Sequence, residues 1–414
     1  MASRSESIRL VGAFGLASTL WAASGTMPAY SGEKVIHTFQ GGSDGASPYG
    51  GLVADKAGNL YGTTGAGGGS GCQGIGCGTV FKIAADGTET VLYAFQGGSD
   101  GDGPSGSLLR DKAGNFYGET SGGGNAGWGT VFKLAPDGTE TVLYAFQGGS
   151  DGRSPDGSLL ADKNGNLYGT TDEGGNYNGS ACSEFGCGTV FKLQPNGNKI
   201  TLYAFQGGSD GEGPNSELVM DASGNLYGTT GSGGSCSVTS YGCGTVFKIA
   251  PDGTETVLYV FQGGTTDGEE PEAGLIADSA GNLYGTTFLG GTHKTCNCGI
   301  VFRVSPSGSE TVLYSFQGGS DGENPDAGLI MDKAANFYGT TSYGGTSRCH
   351  IGCGTVFKLA PDGTETVFYA FKGGRDAPGG VNPVAPLLHR GGLLYGTTPI
   401  GGANNVGVVF SVKK

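Results

Sequence analysis

The tetrapeptide YGTT recurs at Tyr61, Tyr168, Tyr227, Tyr284, Tyr338 and Tyr395, with YGET at Tyr117, so the chain repeats itself seven times at intervals of 51 to 59 residues. A period of this length marks a supersecondary unit that cannot bury its apolar face alone and must stack on copies of itself. Each unit reads in one order: a D-x-x-G-N turn or a relative of it, LYGTT, a glycine-rich loop, GTVFKL, a PDG turn, TETVLYAF and FQGGSDG. Four segments per unit, LLAD-like, NLYGTT, GTVFKL and TVLYAF, carry β-branched and aromatic residues at period two between Gly, Asn, Asp and Pro, which reads as four short strands. Asp-Gly and Pro-Asp-Gly supply the positive φ that hairpin turns demand. The expected fold is all-β, a seven-bladed β-propeller of four-stranded antiparallel blades. A solenoid would need shorter parallel rungs and polar end caps, and neither is visible.

The phase of the repeat predicts how the ring closes. VIHTFQGG, from Val35, matches the last strand of a unit, whereas the chain ends on GVVFSV, which matches the third. Val35–Phe39 is therefore expected to complete the sheet of Pro386–His389, Leu393–Thr398 and Gly407–Val412, removing two open sheet edges.

Glycine supplies 87 of 414 residues without a three-residue period, which excludes collagen. Aromatics at 10% and hydrophobics at 36% supply the apolar side chains that a disordered chain lacks. Residues 1–24 read as a secretory signal peptide, with Arg4 and Arg9 before the apolar Leu10–Ala23 and small residues at Ala22-Ala23-Ser24. Residues 25–34 form a short linker and 35–414 the propeller. The expected address is secreted or extracellular, with the periplasm as the alternative, and no membrane span is expected in the mature chain. A net charge of −14 argues against nucleic acid and anionic membrane as partners.

The units, as in GNLYGTT at Gly165–Thr171 and GTVFKL at Gly188–Leu193, resemble the GloVer (Gloeo–Verruco) repeat family of exported bacterial proteins. The resemblance covers nearly all of residues 35–414. It implies a propeller that elsewhere is joined to C-terminal anchors; here the chain stops two residues after the last strand, and no anchor is expected. It implies no activity and no catalytic residues.

All ten cysteines fall in the loop between the LYGTT and GTVF strands, as Cys72/Cys77, Cys182/Cys187, Cys236/Cys243, Cys296/Cys298 and Cys349/Cys353. Metal or redox geometry would hold their spacing constant, and it varies from two to seven. In two units both cysteines are absent together, with Trp128 and Val406 at the second position. Paired presence and absence predicts five local disulfides in an oxidising compartment.

If LLAD is innermost, as in the NHL-type propellers it resembles, the disulfide loops and FQGGSDG loops share one face, the variable one on which function is expected. That face carries Asp44, Asp100, Asp151, Asp210, Asp267 and Asp321, with Asp376 as a diverged seventh, followed by Asp102, Glu212, Glu269, Glu270, Glu323 and Asp326. Such oxygen-rich loops can bind calcium; Ser-Asp-Gly is also an ordinary turn whose Asp bonds its own backbone. No other cofactor is expected. Tyr49, Trp128, Tyr177, Phe185, Tyr241, Phe288 and Tyr343 interrupt the same loops, either to stack on sugar faces or to cover glycine. Arg110 and His389 take inner-strand places that can face the channel, and Glu119 is a lone carboxylate breaking YGTT.

These features predict a recognition module or scaffold binding a polysaccharide or cell-surface protein through the stapled face. The alternatives are a propeller enzyme (polysaccharide lyase, glycosidase or lactonase) and a self-assembling envelope or matrix protein. Repeat-breaking residues are scattered and mostly aromatic rather than clustered in one unit, which favours binding over catalysis.

Overall fold

A computed structural model describes residues 32–175, 182, 185–239, 241–293, 296–345, 349, 352–373 and 379–414. It is a seven-bladed β-propeller. Blade 1 runs from the axis outward as Val53–Ala54, Leu60–Thr64, Thr79–Ile83 and Glu89–Ala94, all antiparallel. Blades 2 to 6 repeat this order, their second strands being Phe116–Thr120, Leu167–Thr171, Leu226–Thr230, Leu283–Thr287 and Phe337–Thr341. The seventh sheet is built from Leu388–Arg390, Leu393–Thr398 and Val408–Lys413, with Lys34–Thr38 as its outer strand. Ring closure by the N-terminal strand is thus as the repeat phase required. Leu393–Thr398 lies as expected, and the other three strands of this sheet begin one or two residues from the expected positions.

Inner strands shrink to two residues in blades 1 to 6. The residues before them crowd the axis: a Cβ on Gly106 would stand 1.8 Å from the Gly157 carbonyl oxygen of the next blade. Backbone this close can line a channel but has no room for a longer ladder.

One aromatic contact joins each blade to the next. The Phe that ends each outer strand meets, edge to face, the Phe in the third strand of the following blade. Phe95–Phe132, Phe146–Phe191, Phe205–Phe247, Phe261–Phe302, Phe316–Phe357 and Phe371–Phe410 have centroids 5.0 to 5.3 Å apart. Phe39–Phe81, at 5.1 Å, makes the same contact across the closure. All are fully buried. The glycine of YGTT is what admits them, since a Cβ on Gly62 would stand 2.7 Å from the Phe81 ring, and the other six glycines are equally close to theirs.

Two polar devices recur around the ring. In the D-x-x-G-N turns, Asp55 accepts from the backbone and side chain of Asn59 and from the Tyr61 hydroxyl. Burial alone would raise this carboxyl, but those hydrogen bonds outweigh it and hold Asp55 at about 2. Asp111, Asp162, Asp221 and Asp278 are lowered in the same way, and at Asp332 the Lys414 ammonium lowers the carboxyl further. The second device crosses between blades. In blade 3, Lys199 opens the outer strand and reaches back to Asp151 of the preceding loop, Nζ to Oδ1 3.1 Å. Glu89, Glu140, Glu255, Glu310 and Glu365 hold the same position, each with its Oε1 buried and unbonded among the described residues. Burial first, and then the facing aspartate (Asp44, Asp100, Asp210, Asp267 or Asp321), raises all five, the first four to about 7.

Two predictions follow from these contacts. Phe39→Ala should cost about 3–5 kcal/mol in urea unfolding, as much as Phe205→Ala inside the chain, because both empty the same blade boundary. A much smaller loss for Phe39→Ala would mean that the closing strand is not part of the cooperative unit. The carboxyls also set a pH optimum. The five raised glutamates contribute stability that is complete below their ordinary range and is lost as pH rises through about 7. The lowered turn aspartates contribute stability that is lost only as pH falls through about 2. The melting temperature should therefore peak at about pH 5 and fall toward pH 8, and replacing the five glutamates by Gln should flatten the alkaline side. A melting temperature that rises from pH 5 to pH 8 would contradict the pairing.

Candidate functional site

The stapled loops and the FQGGSDG loops do share a face. They are tied together at each boundary by short antiparallel pairings such as Ala46 with Ala66, Asp102 with Gly122 and Gly268–Glu269 with Leu289–Gly290. All ten cysteines are paired as five local disulfides, Cys72–Cys77, Cys182–Cys187, Cys236–Cys243, Cys296–Cys298 and Cys349–Cys353. Each closes a small loop and contributes roughly 2 kcal/mol through chain entropy. Their sulfurs lie on the first glycine of FQGG. A Cβ on Gly97 would stand 2.9 Å from Cys72 Sγ, and that glycine also has φ of 75°.

Trp128 takes this place where blade 2 lacks the disulfide, its indole 2.9 Å from a Cβ on Gly148. Its ring also carries the Arg153 guanidinium, 4.6 Å from the centroid, and Phe185 covers Arg153 at 4.2 Å. Arg153 in turn bonds Glu173, Nε to Oε2 2.7 Å. Trp128 and Phe185 thus form the two sides of a cation–π stack between blades 2 and 3 while remaining 37% and 42% exposed. Tyr241 is 79% exposed at its loop tip; Phe288 and Tyr343 are half-buried. Tyr177, His350 and Asp376 lie outside the described residues.

The aspartate series is distributed one per blade, and each member holds its own loop. Asp100, Asp151, Asp210, Asp267 and Asp321 accept from the tyrosine hydroxyl of the preceding strand at 2.7 to 2.9 Å and from the following Gln backbone N–H. Asp44 accepts from Gln40 N–H and faces His37 Nε2 at 3.4 Å. Glu33 accepts from Tyr369 in the seventh such position. The structure does not bring these carboxylates together into one oxygen cage. Arg110 lies over Phe116 at 5.7 Å, and His389 is exposed.

What does converge is a ring of which the sequence singles out only Tyr49 and Asp326. The residue after the proline in each unit faces the axial channel at the stapled end: Tyr49, Ser105, Asp156, Asn215, Glu272, Asp326 and Val384. They surround a cavity of about 460 Å³. A side groove continues from it past Asp172, Glu173 and Glu212. The ring takes carboxylates from blades 3, 5 and 6, whereas blades 7 and 1 contribute Val384 and Tyr49. Burial, then Asp326, Glu270 and Asp172, push Glu272 up to about 7. Burial lifts Asp326 to about 6, and burial with Glu173, Asp156 and Glu212 lifts Asp172 to about 6 against the pull of Arg153.

Glu119 stands directly behind this ring. In the other blades its position is a threonine whose hydroxyl bonds a channel-wall carbonyl of the next blade, as Thr63 to Gly106 and Thr397 to Gly50. Glu119 is 3% exposed, and neither carboxylate oxygen has a partner among the described residues. Burial, and then Asp156, raise it well above the usual range. The sequence signal for the ring was present in the variable residue after each proline, but nothing in one unit says that seven such residues meet.

Comparison with known proteins places the chain. The family model of the Gloeobacter/Verrucomicrobia repeat matches residues 23–237, 68–292, 180–351 and 235–414. No curated protein matches. Among solved structures, the extracellular domain of a candidate one-component system from B. thetaiotaomicron is 14% identical, with 92% of this chain and 42% of that chain covered at a TM-score of 0.54. The chain therefore spans less than half of that neighbour, and the likeness is one of fold. A candidate gluconolactonase is 16% identical over 69% of this chain and 81% of that one, at a TM-score of 0.38 that carries no weight.

The carboxylates at the mouth should titrate as a coupled set. In Asp326→Asn, the Glu272 carboxyl should move down from about 7 toward its ordinary value, read by carbon-13 NMR of the side-chain carboxyls. An unmoved Glu272 would mean that the two groups do not share one cavity.

Proposed function

The chain belongs to the Gloeobacter/Verrucomicrobia repeat family, and from that premise we propose that it is a secreted binding module that takes an extracellular ligand, a polysaccharide or a cell-surface protein, at the mouth of its axial channel. The observation that carries this reading is the repeat-breaking ring at Asp156, Asn215, Glu272 and Asp326, together with Tyr49, on the face whose loops are covalently ordered. The strands vary little between units, because each boundary needs the same phenylalanine and glycine. Variation at the mouth is free of that packing demand, and it concentrates polar groups in one concave site, where ligands bind.

Five disulfides suit an oxidising, extracellular setting. No helix among the described residues is long and apolar enough to cross a membrane. A hydrolytic reading has one specific support, Glu272, whose carboxyl near 7 is in the range of a general acid.

A glycan array and a panel of bacterial surface proteins should be probed with the oxidised chain, with calcium and with a chelator, beside an Asp156→Asn/Asp326→Asn variant. The expected result is binding that the double variant loses while its melting temperature holds. Hits that survive the double variant but vanish in Tyr241→Ala would move the site out to the loop tips. Release of new reducing ends from a bound glycan, lost in Glu272→Gln, would replace the binding reading by the hydrolytic one.

A further inference from the structure

One of the five disulfides has less to staple than the others. Cys296 and Cys298 are two residues apart, against four to seven for the other pairs. A bridge stabilises less the shorter the loop it closes, so this one contributes least. Its loop is also held by bonds that do not involve sulfur. Cys296 N–H donates to His293 Nδ1 at 3.2 Å, and Asn297 Oδ1 accepts from Gly290 N–H at 2.7 Å. Asn324 donates its backbone N–H to the Cys298 carbonyl at 2.8 Å and its side-chain amide to the Asn297 carbonyl at 3.3 Å. Each residue of the Cys-Asn-Cys turn is thus tied down, and the two sulfurs would stay side by side as thiols.

A carboxyl meets these sulfurs. Glu323, which follows the FQGGSDG loop, places Oε2 3.7 Å from Cys298 Sγ, and its carboxylate and both sulfurs lie within 4.8 Å of one another. All three converge on Gly318, where a Cβ would stand 3.1 Å from each sulfur and 3.5 Å from Glu323 Oε2. Burial raises the Glu323 carboxyl above its ordinary value and so favours its protonated form. A carboxyl so placed gives a proton to a departing thiolate and takes one back from a thiol. The sulfurs are also unequal. Cys298 is 1% exposed, whereas Cys296 is only partly buried. An incoming thiolate therefore reaches Cys296, and the sulfur that departs is the one beside the acid.

We propose that Cys296–Cys298 is a thiol–disulfide exchange site that oxidises a dithiol, with Glu323 as its proton carrier. One thiol of the dithiol loses its proton to water and attacks Cys296 Sγ as the thiolate. The bond between the two cysteine sulfurs breaks, and its electron pair goes to Cys298 Sγ, which takes the Glu323 proton. The second thiol of the dithiol gives its proton to the Glu323 carboxylate and attacks the mixed disulfide. It leaves as a disulfide with the first sulfur, and Cys296 departs as a thiolate that takes a proton from water. One dithiol is oxidised and one protein disulfide reduced, and a small disulfide of the glutathione class restores the site by the reverse exchange. None of these residues lines the cavity at the channel mouth, so this site is independent of the ligand reading above. Cys72–Cys77 lies beside Asp102 in the same way but at a separation of five, which makes it the internal control.

The full oxidised chain, equilibrated with graded ratios of reduced to oxidised glutathione, quenched by alkylation and read by peptide mass spectrometry, tests this. Cys296–Cys298 should open at a ratio that leaves the other four bridges closed, and at least about tenfold faster than Cys72–Cys77. A peptide carrying two reduced cysteines should be oxidised by it in a single turnover. The double variant Cys296→Ser/Cys298→Ser should lose that oxidation while its melting temperature holds. Cys298→Ser should trap glutathione as a mixed disulfide on Cys296, whereas Cys296→Ser should trap none on Cys298. Glu323→Gln should slow the exchange severalfold with the bridge still formed. Five bridges opening together, or a double variant whose melting temperature falls as far as that of Cys72→Ser/Cys77→Ser, overturns the inference and makes this pair one more staple. Opening by glutathione with the dithiol peptide left reduced overturns the assigned activity, and an unchanged rate in Glu323→Gln overturns the role of the carboxyl.

Discussion

The edge-to-face contact between two phenylalanines at each blade boundary, seated on a glycine, is the interaction on which the rest of this structure depends. A four-stranded blade is too small to hold itself together, so its faces must be buried on its neighbours. The phenylalanine of the outer strand supplies that burial by crossing to the third strand of the next blade. The bare Cα of YGTT gives the second ring its space. Because the same three residues recur at all seven boundaries, the ring has no weak seam by composition. Phe39 gives the non-covalent closure the same ring contact as the covalently continuous boundaries.

Around that hydrophobic belt the polar groups are arranged by constraint rather than by function. The turn aspartates, and the loop aspartates other than Asp44, each satisfy backbone amides and a tyrosine hydroxyl, and Asp44 faces His37 instead. The glutamates at the start of the outer strands are harder to account for, since each puts a carboxyl against another carboxyl. Blade 3 shows the alternative, with Lys199 turning the same contact into an ion pair. Five boundaries keep the acidic pair, and burial with the facing aspartate raises each of these glutamates.

Loop order on the stapled face comes from sulfur in five blades and from an indole in one. Trp128 occupies the disulfide's seat on the FQGG glycine and adds the stack with Arg153 and Phe185. Its exposure in sequence terms invited a ligand-binding role, yet its place in the fold is explained first by packing. The mouth of the channel is different, because there the units depart from one another where no packing demand acts.

Fold, blade count, strand order, closure and disulfide pairing were all legible in the sequence, because each follows from local rules repeated seven times: period-two patterning, turn residues, the phase of the two termini, and cysteines that come and go together. The acidic ring was not. Asp156, Asn215, Glu272 and Asp326 lie 54 to 59 residues apart in sequence, each after a proline in a different unit, and only circular closure brings them to one cavity. Glu119 could be seen to break YGTT, but its burial behind Asp156 depends on the neighbouring blade. The repeat by itself determined how the chain folds, since propeller contacts are the same contact made again. What faces the axis was decided by tertiary structure alone, because a ring puts together residues that no local pattern relates.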